Sequence, residues 1–336
     1  MKRFGFNVLR LLTVAMLLPW LASCEVEFSP NAQWKNIPVV YCVLDQDDDT
    51  SWVRVERCYL SDDGAMLYGN NPDSINYREG EISVAILAYE GDRQRDSIPF
   101  AYTLRQRDSG AFAGGMQPVY FCETRGRLKE NYDYFLNVRT ADGKLLASSS
   151  PVRLIKQTEE ALITAPTGNY GFSFYSNGSN CKIAWNNLAN ARIYQPVVRF
   201  YYGVEGETRH VDLNCQRYAP PYNSQKSEIF YPLSRFLTDL RTLLQQDTAS
   251  RKEYLKRVDI YLTCCTEDLN AYLSTAAQGS NVEQSHETYT NIKGGLGVFA
   301  ARRTHLYKSM KSDASETAGE GLYWHLRNLG VGLYLP

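Results

Sequence analysis

The stretch YDYFLNVRTADGKLLASSS, Tyr132 to Ser150, decides how the rest of the chain is read. Tyr134, Leu136 and Val138 alternate with polar neighbours, which is the period of a half-buried strand. Asp142-Gly143 supplies the positive φ of a tight turn, and a second apolar strand follows, so the stretch predicts a β-hairpin. The same period recurs upstream. EISVAILAY places Ile82, Val84, Ile86 and Ala88 on one face, and SWVRVERCY does the same for Val53 and Val55. Short strands punctuated by Gly91, Gly110, Gly114 and Gly115 predict a β-sandwich over residues 37–156.

The strand pattern lapses in QTEEALITAPTG, Gln157 to Gly168, and then resumes with GFSFYS, CKIAW, YQPVVRFYYG and TRHVDLNC. Glu205-Gly206 is the expected turn between the last two. In LSRFLTDLRTLLQQ the residues Leu233, Phe236, Leu237, Leu240, Leu243 and Leu244 share one helical stripe, which predicts a helix covering the sandwich. VDIYLTC returns to period two, with Val258, Ile260, Leu262 and Cys264 facing one way. TEDLNAYLSTAAQG predicts a short helix with Thr266 as N-cap and Gly279 just past its end. Residues 157–307 are therefore expected to form a C-terminal β-sandwich with helical insertions. Residues 308–336 are expected to be a polar segment closing on a strand within LGVGLYL. The predicted fold class is mainly β: two immunoglobulin-like or fibronectin-like sandwiches, the second with helical insertions.

The 336 residues carry 36 Lys+Arg against 37 Asp+Glu, a formal charge of −1, with 24 tyrosines. Loss of Lys2, Arg3 and Arg10 with a leader makes the remainder more acidic. No clustered basic footprint points to nucleic acid. Cysteines Cys42, Cys58, Cys122, Cys181, Cys215, Cys264 and Cys265 show no Cys-x-x-Cys spacing, so a zinc ribbon or redox motif is not expected. Most read as small buried hydrophobes. With Asp45–Ser51 as a hairpin tip, Cys42 falls opposite about Arg54, away from Cys58. Vicinal Cys264 and Cys265 fall on opposite faces of their strand.

Residues 1–23 have a basic start, an apolar run from Val8 to Trp20 interrupted by Arg10, and small residues before Cys24. That is the layout of a signal peptide, and the run is shorter than the about 20 residues a spanning helix needs. Leu21-Ala22-Ser23-Cys24 resembles the bacterial lipobox, in which the cysteine thiol takes a diacylglyceryl group and the freed amine is acylated. Each buried methylene contributes roughly 0.8 kcal/mol, so such chains hold a water-soluble domain at a bilayer. Residues 24–36 then form a lipidated linker. Glu25 and Glu27 resemble the acidic tether that carries lipoproteins of the Bacteroidota to the cell surface. A plain solvated linker facing the periplasm is the alternative.

Tyr289-Thr290-Asn291-Ile292-Lys293-Gly294-Gly295-Leu296-Gly297-Val298-Phe299 resembles the C-terminal signature of a Bacteroidota lipoprotein family labelled domain of unknown function 4249. The order of features agrees: lipobox, a first strand IPVVYCVL, an acidic hairpin, a domain closing on DGKLLASS, then a sandwich with helices. The resemblance spans roughly Cys24 to Tyr307. It implies an outer-membrane surface lipoprotein of immunoglobulin-like domains, in a family often associated with TonB-dependent transporters, and it implies no activity. Family members commonly place another glycine after the phenylalanine, where this chain has Ala300.

DQDDDTSWVRVE sets Asp45, Asp47, Asp49, Ser51 and Glu56 at positions 1, 3, 5, 7 and 12 of a calcium loop. Thr50 stands where the sharp turn wants glycine, and strands flank it where helices belong, so a solvated acidic tip is expected and no resident metal. KGGLG lacks the following Lys-Ser/Thr of a phosphate loop. Its glycines read as positive-φ, close-approach positions. His210, His286, His305 and His325 show no ligand spacing. There is no Gly-x-Ser-x-Gly, and no catalytic residue or cofactor is assigned. Asp73-Ser74-Ile75, Asp96-Ser97-Ile98 and Asp247-Thr248-Ala249 resemble an O-glycosylation acceptor pattern of Bacteroides-like bacteria. The leading expectation is a non-enzymatic binding or accessory subunit anchored through Cys24, with a TonB-dependent transporter as partner. A structural adhesin or fimbria-like subunit is the alternative, and a hydrolase with an unrecognised site the distant one.

Overall fold

Alternation survives intact in the computed structural model. Along Asp133–Thr140, Tyr134, Leu136 and Val138 are buried, and Gly143 turns the chain at φ 82° before Leu145–Ser149 returns. The structure describes residues 36–58, 72–106, 115–157, 163–164, 180–278, 289–311, 322–327 and 329–335. The leader, Cys24, the stretch GFSFYS, Gly279 and His286 lie outside them.

In chain order the first elements are β1 (Pro38–Asp45), β2 (Thr50–Arg57), the short helix α1 (Pro72–Ile75), β3 (Ile82–Glu90) and β4 (Arg93–Pro99). Next come β5 (Ala101–Gln106), β6 (Met116–Glu123), β7 (Asp133–Thr140), β8 (Leu145–Ser149) and β9 (Val152–Arg153). After β10 (Ile163–Thr164) follow β11 (Asn180–Asn186), β12 (Ile193–Val204), β13 (Glu207–Asn214), β14 (Lys226–Pro232) and α2 (Leu233–Gln246). The chain closes with β15 (Lys252–Cys265), α3 (Glu267–Gln278), β16 (Ile292–Lys293), β17 (Leu296–Lys311), α4 (Leu322–Leu326) and β18 (Leu333–Tyr334).

These strands form one large sheet and two smaller ones. The nine-stranded sheet runs β13-β12-β15-β17-β1-β2-β6-β5, with β18 beside β15. A six-stranded sheet, β16-β8-β7-β3-β4 with β9 beside β7, covers one end of it, and a three-stranded sheet, β10-β11-β14, covers the other. The fold is thus mainly β in sandwich-like layers, as expected. The first core holds Val40, Leu44, Val53, Ile86, Leu136 and Val138. The second is more aromatic, with Trp185, Tyr194, Phe200, Tyr231, Phe236 and Tyr254. Burying each such side chain contributes about 1.5–3 kcal/mol before entropy is charged against it.

Helix α2 presents Leu233, Phe236, Leu240 and Leu244 to the second core, the stripe its sequence predicts. Pro232 precedes it with no side-chain cap. Val258, Ile260, Leu262 and Cys264 are all fully buried along β15, and Cys265 on the other face is half-buried. Glu205 (φ 51°) and Gly206 (φ 86°) make the expected turn between β12 and β13.

Two expectations need correction. Residues 157–307 do not form one unit. Ile292 and Lys293 pair with β8, Leu296 to Arg302 pair in parallel with β1, and only from Arg302 onward does β17 pair with β15. Ile292, Phe299 and Ala301 accordingly sit in the first core. A period-two pattern says which face is buried but not which sheet a strand joins. Second, residues 308–336 are more than polar. The strand β17 continues to Lys311, and Leu322, Leu326, Leu329 and Val331 enter the second core. Arg241 Nε donates to Leu329 O at 3.0 Å and Lys252 Nζ to Val331 O at 3.5 Å, so cations clasp this segment by its carbonyls. Thr266 takes the expected N-cap position, its C=O accepting the Asn270 N–H at 3.3 Å, and its Oγ1 accepts the Ala301 N–H at 3.2 Å, which also ties α3 to β17. Cys42 pairs with Val53, beside Arg54 and away from Cys58, as expected.

The junction between the cores is pinned. Leu154 lies in the first core and its neighbour Ile155 in the second. Gln46, at the acidic hairpin, donates to Ile155 O at 2.9 Å and accepts the Ile155 N–H at 2.8 Å. No helix among the described residues is long and apolar enough to cross a membrane.

Candidate functional site

The glycine-rich signature is a crossing between sheets. β16 belongs to the six-stranded sheet, and β17 begins three residues later in the large one, so Gly294-Gly295 carries the chain from one layer of the first sandwich to the other. Gly294 (φ 78°) and Gly297 (φ 104°) adopt left-handed backbone. A Cβ on Gly297 would stand 2.0 Å from Val40 O, and one on Gly295 2.6 Å from Pro38 O. Strand β1 and the crossing touch backbone to backbone, which only glycine permits. Asn291 locks the return: its amide donates to Phe299 O at 2.7 Å and its Oδ1 accepts the Phe299 N–H at 2.9 Å. Asp268 of α3 accepts from Asn291 Nδ2 at 2.9 Å and from Tyr289 OH at 2.7 Å. The signature therefore describes a scaffold joint.

The calcium-like spacing is dispersed by the fold. Asp45 Oδ2 accepts from Arg302 Nε at 2.8 Å. Asp47 Oδ2 accepts the Thr304 N–H at 2.5 Å and its Oδ1 lies 3.7 Å from Arg303. Asp49 accepts from Arg125 Nε at 2.5 Å, and that guanidinium holds its carboxyl below the ordinary carboxylate range. Glu56 Oε1 is 3.6 Å from Arg54. Among the described residues no three His, Cys, Asp or Glu side chains converge as a metal set. The tip faces the junction, where Arg303 also bonds Glu130 (2.7 Å) and Ile155 O (3.0 Å).

Thiols and imidazoles are placed for packing. Burial pushes the Cys122 thiol up to about 11 and Cys215 to about 12, the opposite of an activated nucleophile. His305 is held below its usual value, first by burial and then by Arg303, and His325 by burial. His210 lies against the Tyr201 ring at 5.9 Å. Of the three acceptor-like triplets, Ser97 and Thr248 are exposed and Ser74 is half-buried.

What the sequence reading missed is the outer face of the large sheet, where arginines lie on aromatic rings. Toward β12 and β15, Arg199 covers Tyr261 at 4.3 Å and pairs bidentately with Asp212, which is thereby held below the ordinary carboxylate range. Arg257 covers Tyr201 at 4.2 Å and donates at 2.6 Å to Asp259, a fully buried carboxylate that also accepts from Tyr201 OH at 3.0 Å. Toward β1, β2 and β5, Arg54 covers Tyr41 at 4.7 Å and Arg105 covers Trp52 at 4.1 Å, with Phe121 5.5 Å from Trp52. Part of the signal was present, in the polar half of two strands: Arg199-x-Tyr201 in β12 and Trp52-x-Arg54 in β2.

Several clefts open on the surface. One of about 430 Å³ lies on the six-stranded sheet, lined by Leu87, Tyr89, Asp92, Asp133, Phe135 and Asn137. Another of about 680 Å³ lies at the β5 end of the large sheet, lined by Trp52, Leu104, Arg105, Gln106, Gln117 and Val119. Aromatic walls with a few polar groups are the chemistry of small-molecule recognition.

No family model matches the chain, and no curated protein matches it. Among solved structures it is similar to a chain of a cytokine receptor complex, at 9% identity and TM-score 0.23, covering 82% of this chain and 98% of that one. It is also similar to the FN1–FN3 domains of chicken CNTN1, at 8% identity and TM-score 0.21, covering 82% of this chain and 67% of that one.

Proposed function

We propose that the chain is an outer-membrane lipoprotein, anchored through Cys24 and displayed at the cell surface, which serves as a non-enzymatic binding or accessory subunit of a TonB-dependent transporter. The observation that carries this reading is Leu21-Ala22-Ser23-Cys24 behind a basic, apolar leader. The fold supports it by presenting aromatic and arginine-bearing faces on a pinned pair of sandwiches. The strand-donor alternative draws less support: the edge strand β4 carries Arg93, Arg95, Asp96 and Pro99, and the edge strand β13 carries Glu207, Arg209, His210 and Asp212. Charges and proline on an edge oppose strand addition.

The test is labelling of the natural producer with a fatty-acid probe, followed by detergent co-purification. The expected result is acylation abolished by Cys24→Ala, protease sensitivity on intact cells, and a transporter in the eluate. An unacylated chain in the culture medium would overturn the anchor. An acylated chain that elutes alone would overturn the accessory role.

A further inference from the structure

We propose that the cleft at the β5 end of the large sheet binds a carboxylate-bearing saccharide of the uronate type. The proposal deepens the reading of the chain as a binding module and rests on it, but requires neither the lipid nor the transporter.

Register builds the site. Trp52 pairs with Phe121 across β2 and β6, and Arg105 pairs with Gln117 across β5 and β6. The long Arg105 side chain crosses β6 at the level of Val119 and lays its guanidinium 4.1 Å above the Trp52 ring. A guanidinium stacked by its face keeps its N–H edge available for a two-point contact with a carboxylate.

The same arrangement recurs across the molecule with the acid already supplied. Arg54 on Tyr41 has Glu56, Arg57 on Tyr77 has Glu81, and Arg192 on Tyr222 has Glu267. Arg199 on Tyr261 has Asp212, and Arg257 on Tyr201 has Asp259. Arg105 has no carboxylate partner among the described residues, and no acid lines its cleft. Arg251 on Tyr334 also stands without an ion pair among them, but its cleft is lined by Glu205 and Glu253. The Arg105 cleft alone of these two is cationic.

The remaining lining sets the ligand class. Gln117 Oε1 is buried with no hydrogen-bond partner among the described residues, an acceptor that a ligand hydroxyl would satisfy. Leu104, 48% exposed, offers apolar surface to a ring face. One carboxylate, hydroxyls and an apolar ring face are what a uronate ring presents. The cleft volume of about 680 Å³ suits one to three such rings.

Titration calorimetry on the full chain in detergent would use trigalacturonate, neutral maltotriose and triaspartate as probes. Saturable binding of trigalacturonate alone is expected. Arg105→Gln should weaken it about 10- to 100-fold, and Arg105→Lys should restore part of the loss. Trp52→Phe, which keeps a ring under the guanidinium, should bind more tightly than Trp52→Ala. Because Arg105 is exposed, Arg105→Gln should leave the thermal midpoint unchanged and so remain informative where Trp52→Ala fails to fold. Equal binding of maltotriose, binding of triaspartate as tight as the saccharide, or an Arg105→Gln chain that binds normally would overturn the proposal. Failure of all three probes would overturn this site and leave the anchor at Cys24 to its own test.

Discussion

The acidic hairpin tip and the glycine crossing are the two most conspicuous strings in the chain, and the fold weights them in opposite ways. The tip, Asp45 to Asp49, spends its carboxylates on arginines that are half-exposed or more in two of three pairs. Exposed ion pairs are each worth about 0–1 kcal/mol, because water and salt screen them and long side chains lose freedom. The crossing, Asn291 to Phe299, has almost no charge, yet its asparagine and three glycines press on neighbouring backbone. Sterics and buried hydrogen bonds are not screened. Conspicuous charge is therefore a poor guide to what holds this molecule together, and conspicuous glycine a good one.

The largest effect should come from Gly297→Ala. A Cβ 2.0 Å from Val40 O at φ 104° cannot be accommodated without separating β1 from β17, so a loss of more than about 4 kcal/mol, read by urea denaturation, is expected. Gly91→Ala sharpens the point. Gly91 also has positive φ, 59°, but a Cβ there meets open space, and the cost should stay near about 1–2 kcal/mol. A Gly297→Ala chain as stable as Gly91→Ala would break the contrast.

Asn291→Ala comes next. It strands the buried Phe299 N–H and C=O, and a loss of about 2–4 kcal/mol is expected. Smaller still is the acid response. Asp247, which accepts from Ala249 N–H (3.0 Å), Tyr202 OH (2.7 Å) and Arg209 (3.0 Å), is held below the ordinary carboxylate range, as is Asp212 beside Arg199. Groups with depressed folded values stabilise fully above the unfolded pKa of about 3.9 and lose that contribution as pH falls toward the folded value. Thermal midpoints should thus fall with acid below about pH 4, and Asp247→Asn should flatten that limb. The smallest change belongs to Asp49→Ala, expected to leave the urea midpoint essentially where it is despite its place in the most eye-catching string.

Legibility followed locality. Strands β3, β7, β11 and β15 and helix α2 were readable because burial of one face imposes a short-range period. The Glu205-Gly206 turn was readable because backbone chirality does. What could not be read was membership: Leu296 to Lys311 runs as one strand, yet its first half completes one sandwich and its second half the other. Parallel pairing of β17 with β1 joins residues over 250 positions apart, and no local pattern encodes that. The candidate cleft was hidden for a related reason. Trp52 and Arg105 come from different strands, and only the register of β2, β6 and β5 sets one upon the other. The calcium-like spacing failed from the other direction, since Arg125, Arg302 and Arg303 reach its carboxylates from distant parts of the chain.

A shared sheet, continuous through β17, implies that the two sandwiches lose structure together. Hydrogen exchange read by mass spectrometry across a urea series would follow amides of β3 and β7 in the first unit and of β11 and β12 in the second. One common midpoint for all four strands is the expected result. Protection that persists in β11 and β12 after β3 and β7 have exchanged would show two independent domains and contradict the joined architecture.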